Sequence, residues 1–285
     1  MRCIRTVLAW LPAALLLCTA APVAAQTPAE EEAGPDARAL ARAAAVYVSG
    51  LPAFGFTWFV SHDDVIEGRE KLTFLQSGQT VMQRGAGFVT FAEFEAERRD
   101  FYFDGNVFTV SAPDRDYYAT TPFEDSFEAL VDAARERTGT VLPMWTMMSA
   151  DLPDRLASDE ALSDVAYVGE TMVAGQPAHH LSFAGPDEDW QLWISTDEDS
   201  PLPLVIVGTR IYEQGWPQYR VYFTSWDLAP EIAEGAFTFV PDDDDIPVAM
   251  PALVGDGAAS EEPPVDAGAD DAQDAAGDAG TEGQE

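Results

Sequence analysis

Cysteine is nearly missing from this sequence: of 285 residues only Cys3 and Cys18 carry a thiol. Beyond position 18 no disulfide, thiol nucleophile or thiolate metal site is available. Positive charge is scarce as well. Fifteen Lys and Arg face 50 Asp and Glu, for a formal net charge of −35. Such a surface repels phosphate backbones, which excludes nucleic acid as a partner. Histidine occurs three times, as His62, His179 and His180. The chain has no Gly-x-Ser-x-Gly elbow, no phosphate-cradling glycine loop and no dinucleotide fingerprint. No motif calls for a cofactor.

What is present is aromatic. Thirty of the 31 Phe, Trp and Tyr lie within residues 36–250. That is ample material for a core and excludes disorder throughout. The ends differ in composition. Arg2 and Arg5 precede an apolar run, Val7 to Leu17, and small residues lead up to Ala25. Residues 1–25 therefore read as a cleavable secretory signal. Pro12 and Pro22 favour cleavage over a retained anchor, and Leu17 before Cys18 argues against a lipid anchor there. Residues 26–35 read as a short acidic linker. Residues 251–285 carry ten acids, no base and no aromatic, and read as a disordered acidic tail. The expected domain is 36–250, with a formal charge of −24. An exported chain without disulfides must be held by its core alone.

Asp36 to Ser49 has a helical apolar face, with Asp36 as N-cap and Gly50 and Pro52 as the stop. Phe54, Phe56, Trp58 and Val60 then alternate with smaller or polar neighbours, as in a half-buried strand. Lys71–Gln76, Thr80–Arg84 and Gly87–Phe91 read as three further short strands. Asp104-Gly105 between apolar runs predicts a hairpin. Helical spacing returns at Phe123, Phe127, Leu130 and Ala134, and Pro143 opens a second short helix rich in Met and Trp. Five more strands follow between 162 and 226, and Ala236–Val240 reads as a last one. The class is mainly β (α+β): a curved, incomplete antiparallel barrel of about ten or eleven strands with a helical lid.

The chain resembles a bacterial family of predicted periplasmic proteins within the superfamily of the periplasmic lipoprotein carrier (LolA-like). The resemblance is carried by Asp100-Phe101-Tyr102-Phe103-Asp104-Gly105, by Gly139 to Asp151, by Gly175 to Leu181, by Asp189 to Ile194, by Trp226-Asp227-Leu228 and by Phe237-Thr238-Phe239. It implies a half-barrel with an apolar interior that shields acyl chains, lipids or lipidated proteins in the periplasm. The family's basic segment is poorly matched around Gln79–Gly87. Arg84 in that stretch is the candidate the resemblance offers for the carriers' barrel arginine that holds a lid helix, the alternative being an ordinary surface arginine.

The aromatic and methionine stretches are the candidate cavity. Phe54, Phe56 and Trp58 would line one wall, Trp190, Leu192 and Ile194 another, and Met144, Trp145, Met147 and Met148 the lid. The same residues are equally what a filled core requires. His179 and His180 are neighbours on a strand, so their rings point to opposite faces and cannot chelate one metal together. Abundant carboxylates read as solvated turns, with no spaced calcium loop. The function expected is non-enzymatic binding by a monomer. The guest would be a lipid, an acyl chain or an acylated protein, bound mostly through its acyl portion because the surface is acidic. An envelope-sensor domain with a protein partner is the alternative, and a hydrolase or metal enzyme using His179 or His180 the next.

Overall fold

The computed structural model describes residues 34–138, 143–156, 158 and 164–250. The expected signal, the linker up to residue 33 and the acidic tail lie outside these residues, as do Gly139 and residues 159–163. Helix α1 (Ala37–Gly50) starts where the Asp36 carboxylate accepts the Arg38 and Ala39 amides at 2.9 and 3.3 Å. Its buried face is Ala37, Ala41, Ala44, Ala45 and Val48, small side chains that let a helix lie close to a sheet.

Strands β1 (Ala53–Ile66) and β2 (Glu70–Gln83) are each 14 residues long and pair along their whole length. Strands β3 (Gly87–Glu93), β4 (Arg98–Phe103), β5 (Val107–Ala112) and β6 (Tyr117–Pro122) continue the meander to one edge. Three helices follow: α2 (Phe127–Thr138), α3 (Pro143–Met148) and α4 (Leu152–Leu156). The chain then restarts at the opposite edge with β7 (Val165–Val173), β8 (Gln176–Phe183), β9 (Glu188–Ser195), β10 (Pro203–Arg210) and β11 (Gln218–Asp227). Strand β11 pairs antiparallel with β1, which joins the two meanders into one sheet. The two-residue β12 (Ile246–Pro247) adds to β6 in parallel. The result is an open, curved sheet of twelve strands with edges at β12 and β7, not closed into a barrel.

This topology places the helices. The segment between β6 and β7 has to travel from one edge of the sheet to the other, and its apolar side chains lie on the sheet's inner face. Phe127, Leu130, Met144, Trp145, Met147, Met148 and Leu152 join the inner strand residues and α1 in one core.

Two expectations change. Lys71–Gln76 and Thr80–Arg84 are not separate strands: one strand, β2, runs unbroken through Gly78 and ends at Gln83. Residues 236–240 form the end of a turn, a bend and irregular backbone, not a strand. Their apolar side chains are held differently: Phe237 is buried, and Phe239 packs on Tyr102 and Tyr118 at 5.4 and 5.1 Å. Ring packing replaces ladder pairing there.

Candidate binding site

Alternation along β1 sends Phe54, Phe56 and Trp58 to the inner face, where each is at most 3% exposed. Phe56 meets Trp226 at 5.0 Å and Phe223 at 5.4 Å. Trp145, from α3, is ringed edge-on by Phe88, Phe101 and Phe108 at 5.3, 5.5 and 6.3 Å. Met144 and Met148 are fully buried beside it. The half of the inner face formed by β3–β5 is thus filled by the protein's own rings. The Trp145 Nε1 is buried there without a hydrogen-bond partner.

Arg84 follows β2 and lies between two helix ends. Its Nε donates to the Leu51 carbonyl at 2.9 Å and its Nη2 to the Val48 carbonyl at 3.0 Å, both at the end of α1. Its Nη1 donates to the Met148 carbonyl at 2.7 Å, at the end of α3. The guanidinium also lies 5.4 Å from the centre of the Phe54 ring. Burial draws the Arg84 pKa down, and the nearby Glu128 carboxylate draws it back up. One planar cation thus donates to carbonyls at the C-terminal ends of both helices.

The other half of the inner face is not filled. A cavity of about 400 Å³ lies between α2, α3 and strands β1, β2, β9, β10 and β11. Val60, Val221, Ile206, Trp190 and Met147 give it apolar walls. His62, Gln76, Tyr219, Glu188, Arg135 and Arg210 supply polar groups. A more open recess of about 520 Å³ shares His62 and Gln76 and continues past Phe74 to Phe94 and Arg99. The two recesses meet at the pair formed by His62 and Gln76, which sit 3.5 Å apart.

Strand register makes this site. His62 faces Tyr219 across β1 and β11, Gly208 faces Tyr219 across β10 and β11, and Gly208 faces Trp190 across β10 and β9. A Cβ at Gly208 would lie 2.3 Å from Tyr219 Cε1 and 2.6 Å from Glu188 Oε1. Glycine is what lets the phenol and the carboxyl approach. Burial pushes the Glu188 pKa up, with Arg210 and Arg135 pulling against it. Burial also lifts the Tyr219 pKa above the usual phenol range, and the Glu188 carboxylate lifts it further.

Of the residues singled out from sequence, Met147 and Trp190 line this cavity. Phe54, Phe56, Trp58, Met144, Trp145, Met148 and Ile194 are buried in the core around it, with Leu192 half-buried against that core. The polar lining had no local signal in the sequence, because five strands contribute to it one or two residues each. His179 and His180 point to opposite faces. His179 Nδ1 lies 3.2 Å from the Tyr167 hydroxyl on the inner side. On the outer side His180 stacks on Trp193 at 4.0 Å, with Nε2 3.1 Å from the Gln191 Oε1. Among the described residues no three His, Asp or Glu stand close enough to hold a metal ion.

The family model for a predicted periplasmic protein, DUF2092, matches residues 37–250. The chain belongs to that family. It is a periplasmic protein. Among solved structures it is similar to an uncharacterised conserved protein from Thermus thermophilus. The identity is 12%, over 72% of this chain and 95% of that one, with a TM-score of 0.40. It is similar to the LolA superfamily protein NE2245 from Nitrosomonas europaea at 9% identity, over 71% of this chain and 97% of that one, with a TM-score of 0.32. It is also similar to MucB in the Pseudomonas aeruginosa MucA/MucB complex at 16% identity, over 72% of this chain and 61% of that one, with a TM-score of 0.34. No curated protein matches the chain.

Proposed function

We propose that this chain is a non-enzymatic periplasmic binding protein that takes an acyl chain into the inner-face cavity. The observation that carries the reading is the cavity's division of labour: apolar walls from Val60, Val221, Ile206, Trp190 and Met147, and polar groups at His62, Gln76, Tyr219 and Arg135. Its size of about 400 Å³ falls in the ~300–1,000 Å³ range of small-molecule sites. Each methylene moved from water into those walls contributes about 0.8 kcal/mol. The guest would lie along the trough that passes His62 and Gln76, its chain against Trp190 and Met147 and its head toward the open recess.

The non-enzymatic part of the reading rests on side-chain arrangement. Thr146 is the one aliphatic alcohol among the cavity's lining residues. Each histidine ring has a polar neighbour, His62 with Gln76 in the cavity lining, and His179 with Tyr167 and His180 with Gln191 away from it. In this reading α3 is a cover, and Arg84 ties its end to that of α1. Domain limits of 36–250, with a cleaved signal ahead and a solvated acidic tail behind, belong to the same proposal.

Native mass spectrometry of protein purified without detergent tests the proposal, together with titration of a fluorescent fatty acid. A copurifying acyl compound or saturable uptake is expected. A clean apo mass with no uptake would overturn it.

A further inference from the structure

Two loops at one end of the sheet carry apolar side chains that the fold does not bury. The end of the β1–β2 hairpin presents Ile66 at 46% and Leu72 at 37% exposure. The loop between β10 and β11, residues 211–217, presents Tyr212 at 79% and Trp216 at 68%. The remaining described tryptophans are buried or half-buried.

The loops are fastened to one another. Lys71 Nζ donates to the Gly215 carbonyl at 3.2 Å. A Cβ at Gly215 would lie 3.3 Å from Val65, and one at Gly68 would lie 3.1 Å from the Gln214 side chain. Trp216 itself sits at φ +48°, a left-handed conformation that is costly for a large side chain. Its amide donates to the Glu213 carbonyl at 3.0 Å, which closes the turn and holds the indole outward.

We propose that this end is where the protein touches a lipid bilayer, with Trp216 and Tyr212 entering the headgroup region. This inference rests on the acyl-binding reading above. Three observations choose a bilayer as the occupant. Indole and phenol rings are the side chains that favour the membrane–water boundary, with the apolar body inward and the polar atom at headgroup level. Local charge permits the approach. Residues 36–250 sum to −24, yet residues 66–72 carry Arg69 and Lys71 against Glu67 and Glu70, and residues 210–217 carry Arg210 against Glu213. Each loop is neutral, with Lys71 bonded to the Gly215 carbonyl and Arg210 paired with Glu213, so neither loop itself adds repulsion toward an anionic surface. The third observation is continuity. Arg210, next to the exposed loop, lines the inner-face cavity, as do His62 of β1 and Tyr219 of β11. A chain leaving the bilayer at this end would meet the cavity lining first at Arg210, Tyr219 and His62.

The test uses the exported form with vesicles of phosphatidylethanolamine and phosphatidylglycerol, some carrying brominated acyl chains. Flotation of the protein with vesicles and quenching of its tryptophan emission are expected. In the double variant Trp216→Gly, Tyr212→Ser, vesicle binding should fall by about tenfold or more. Glycine suits the left-handed backbone at 216, so the fold is retained, and an unchanged unfolding midpoint verifies this. Uptake of a fluorescent fatty acid from solution should stay as in the parent. That separates the two proposals: loss of flotation alone concerns this loop, and loss of uptake alone concerns the cavity. Parent protein that does not float, or a double variant that floats equally well, would overturn the inference. So would recovery of the parent's exposed loop in a stoichiometric protein complex that blocks vesicle binding.

Discussion

The indole of Trp58 occupies the place where a side chain at Gly78 would be. The two residues face each other across β1 and β2, and a Cβ built on Gly78 would lie 2.5 Å from Trp58 Cζ2 and 2.2 Å from the Phe91 carbonyl oxygen. Trp58 is 2% exposed and its Nε1 donates to the Thr80 hydroxyl at 3.2 Å, so it has no room to yield. Gly78→Ala should therefore destabilise the fold by about 1–3 kcal/mol through overpacking. Urea unfolding would measure it, and an unchanged midpoint would show that the strand pair separates more readily than the packing implies.

Arg84 should matter more than a typical arginine. Replacing it with methionine keeps most of the stem but removes the guanidinium donor from the carbonyls of Leu51, Met148 and Val48, the last of which still accepts the Leu51 amide. A loss of roughly 3 kcal/mol is expected, because hydrogen bonds from charged groups count for more than neutral ones. Arg84→Lys should recover only part, since one ammonium cannot match the fork that reaches two helix ends. Full recovery by lysine in chemical denaturation would contradict the three-carbonyl account.

Filling the cavity should separate binding from folding. Ile206 lies on its wall. Ile206→Phe should reduce fatty-acid uptake by about tenfold or more while the unfolding midpoint moves little, because new atoms enter existing space. Equal uptake by parent and variant would place the guest elsewhere.

Two carboxylates should respond to pH with opposite signs. Burial raises the Glu188 pKa against the pull of Arg210 and Arg135. Its charged form therefore weakens the fold, fully so above the folded pKa and not at all below the unfolded one. Glu188→Gln should stabilise the protein at neutral pH, with the gain vanishing as pH falls through the raised pKa to the ordinary carboxylate value. Asp63, on the outer face, is the reverse. Burial pushes its pKa up, but a hydrogen bond from Thr73 at 2.7 Å, the Gln218 amide at 3.2 Å and the charges of Arg220 and Lys71 hold it below the usual value. Its contribution is present above the unfolded pKa and lost as pH falls through the lower folded one. Asp63→Asn should cost about 1–3 kcal/mol at neutral pH and nothing in strong acid. Denaturation midpoints across the acid range check both signs.

His179 and His180 should act independently. They lie on opposite faces of β8, one beside Tyr167 and the other stacked on Trp193. The destabilisation in the His179→Ala, His180→Ala double variant should equal the sum of the single effects within about 0.5 kcal/mol. Fatty-acid uptake should match the parent. A large coupling energy in denaturant titrations would show that the rings communicate through the strand.

Much of the sheet was legible because its signals are local. Period-two alternation named Phe54, Phe56 and Trp58 as one face, Asp104-Gly105 marked the β4–β5 hairpin, and Asp36 marked the start of α1. The expected break between Gln76 and Thr80, a stretch that contains Gly78, is closed for a physical reason. Glycine usually weakens a strand, but here its missing side chain admits a tryptophan from the neighbouring strand, which no local pattern records. The polar lining of the cavity was invisible in the same way. Glu188, Tyr219 and Arg135 are far apart in sequence and meet only when β9, β11 and α2 pack together.

By itself the sequence determined the chemistry of the inventory. It specified a cysteine-poor, acidic, aromatic-rich domain made mainly of alternating strands, because composition and periodicity act residue by residue. Only the tertiary structure decided how the inner face is divided. Trp145 fills one half because the chain between β6 and β7 must cross from edge to edge and drops α3 onto Phe88, Phe101 and Phe108. The other half keeps a cavity of about 400 Å³ beside Met147, with Tyr219 and Glu188 of its lining packed against the bare backbone of Gly208. Whether a greasy side chain becomes a wall or a plug depends on what faces it across the sheet, and that is a property of register and topology.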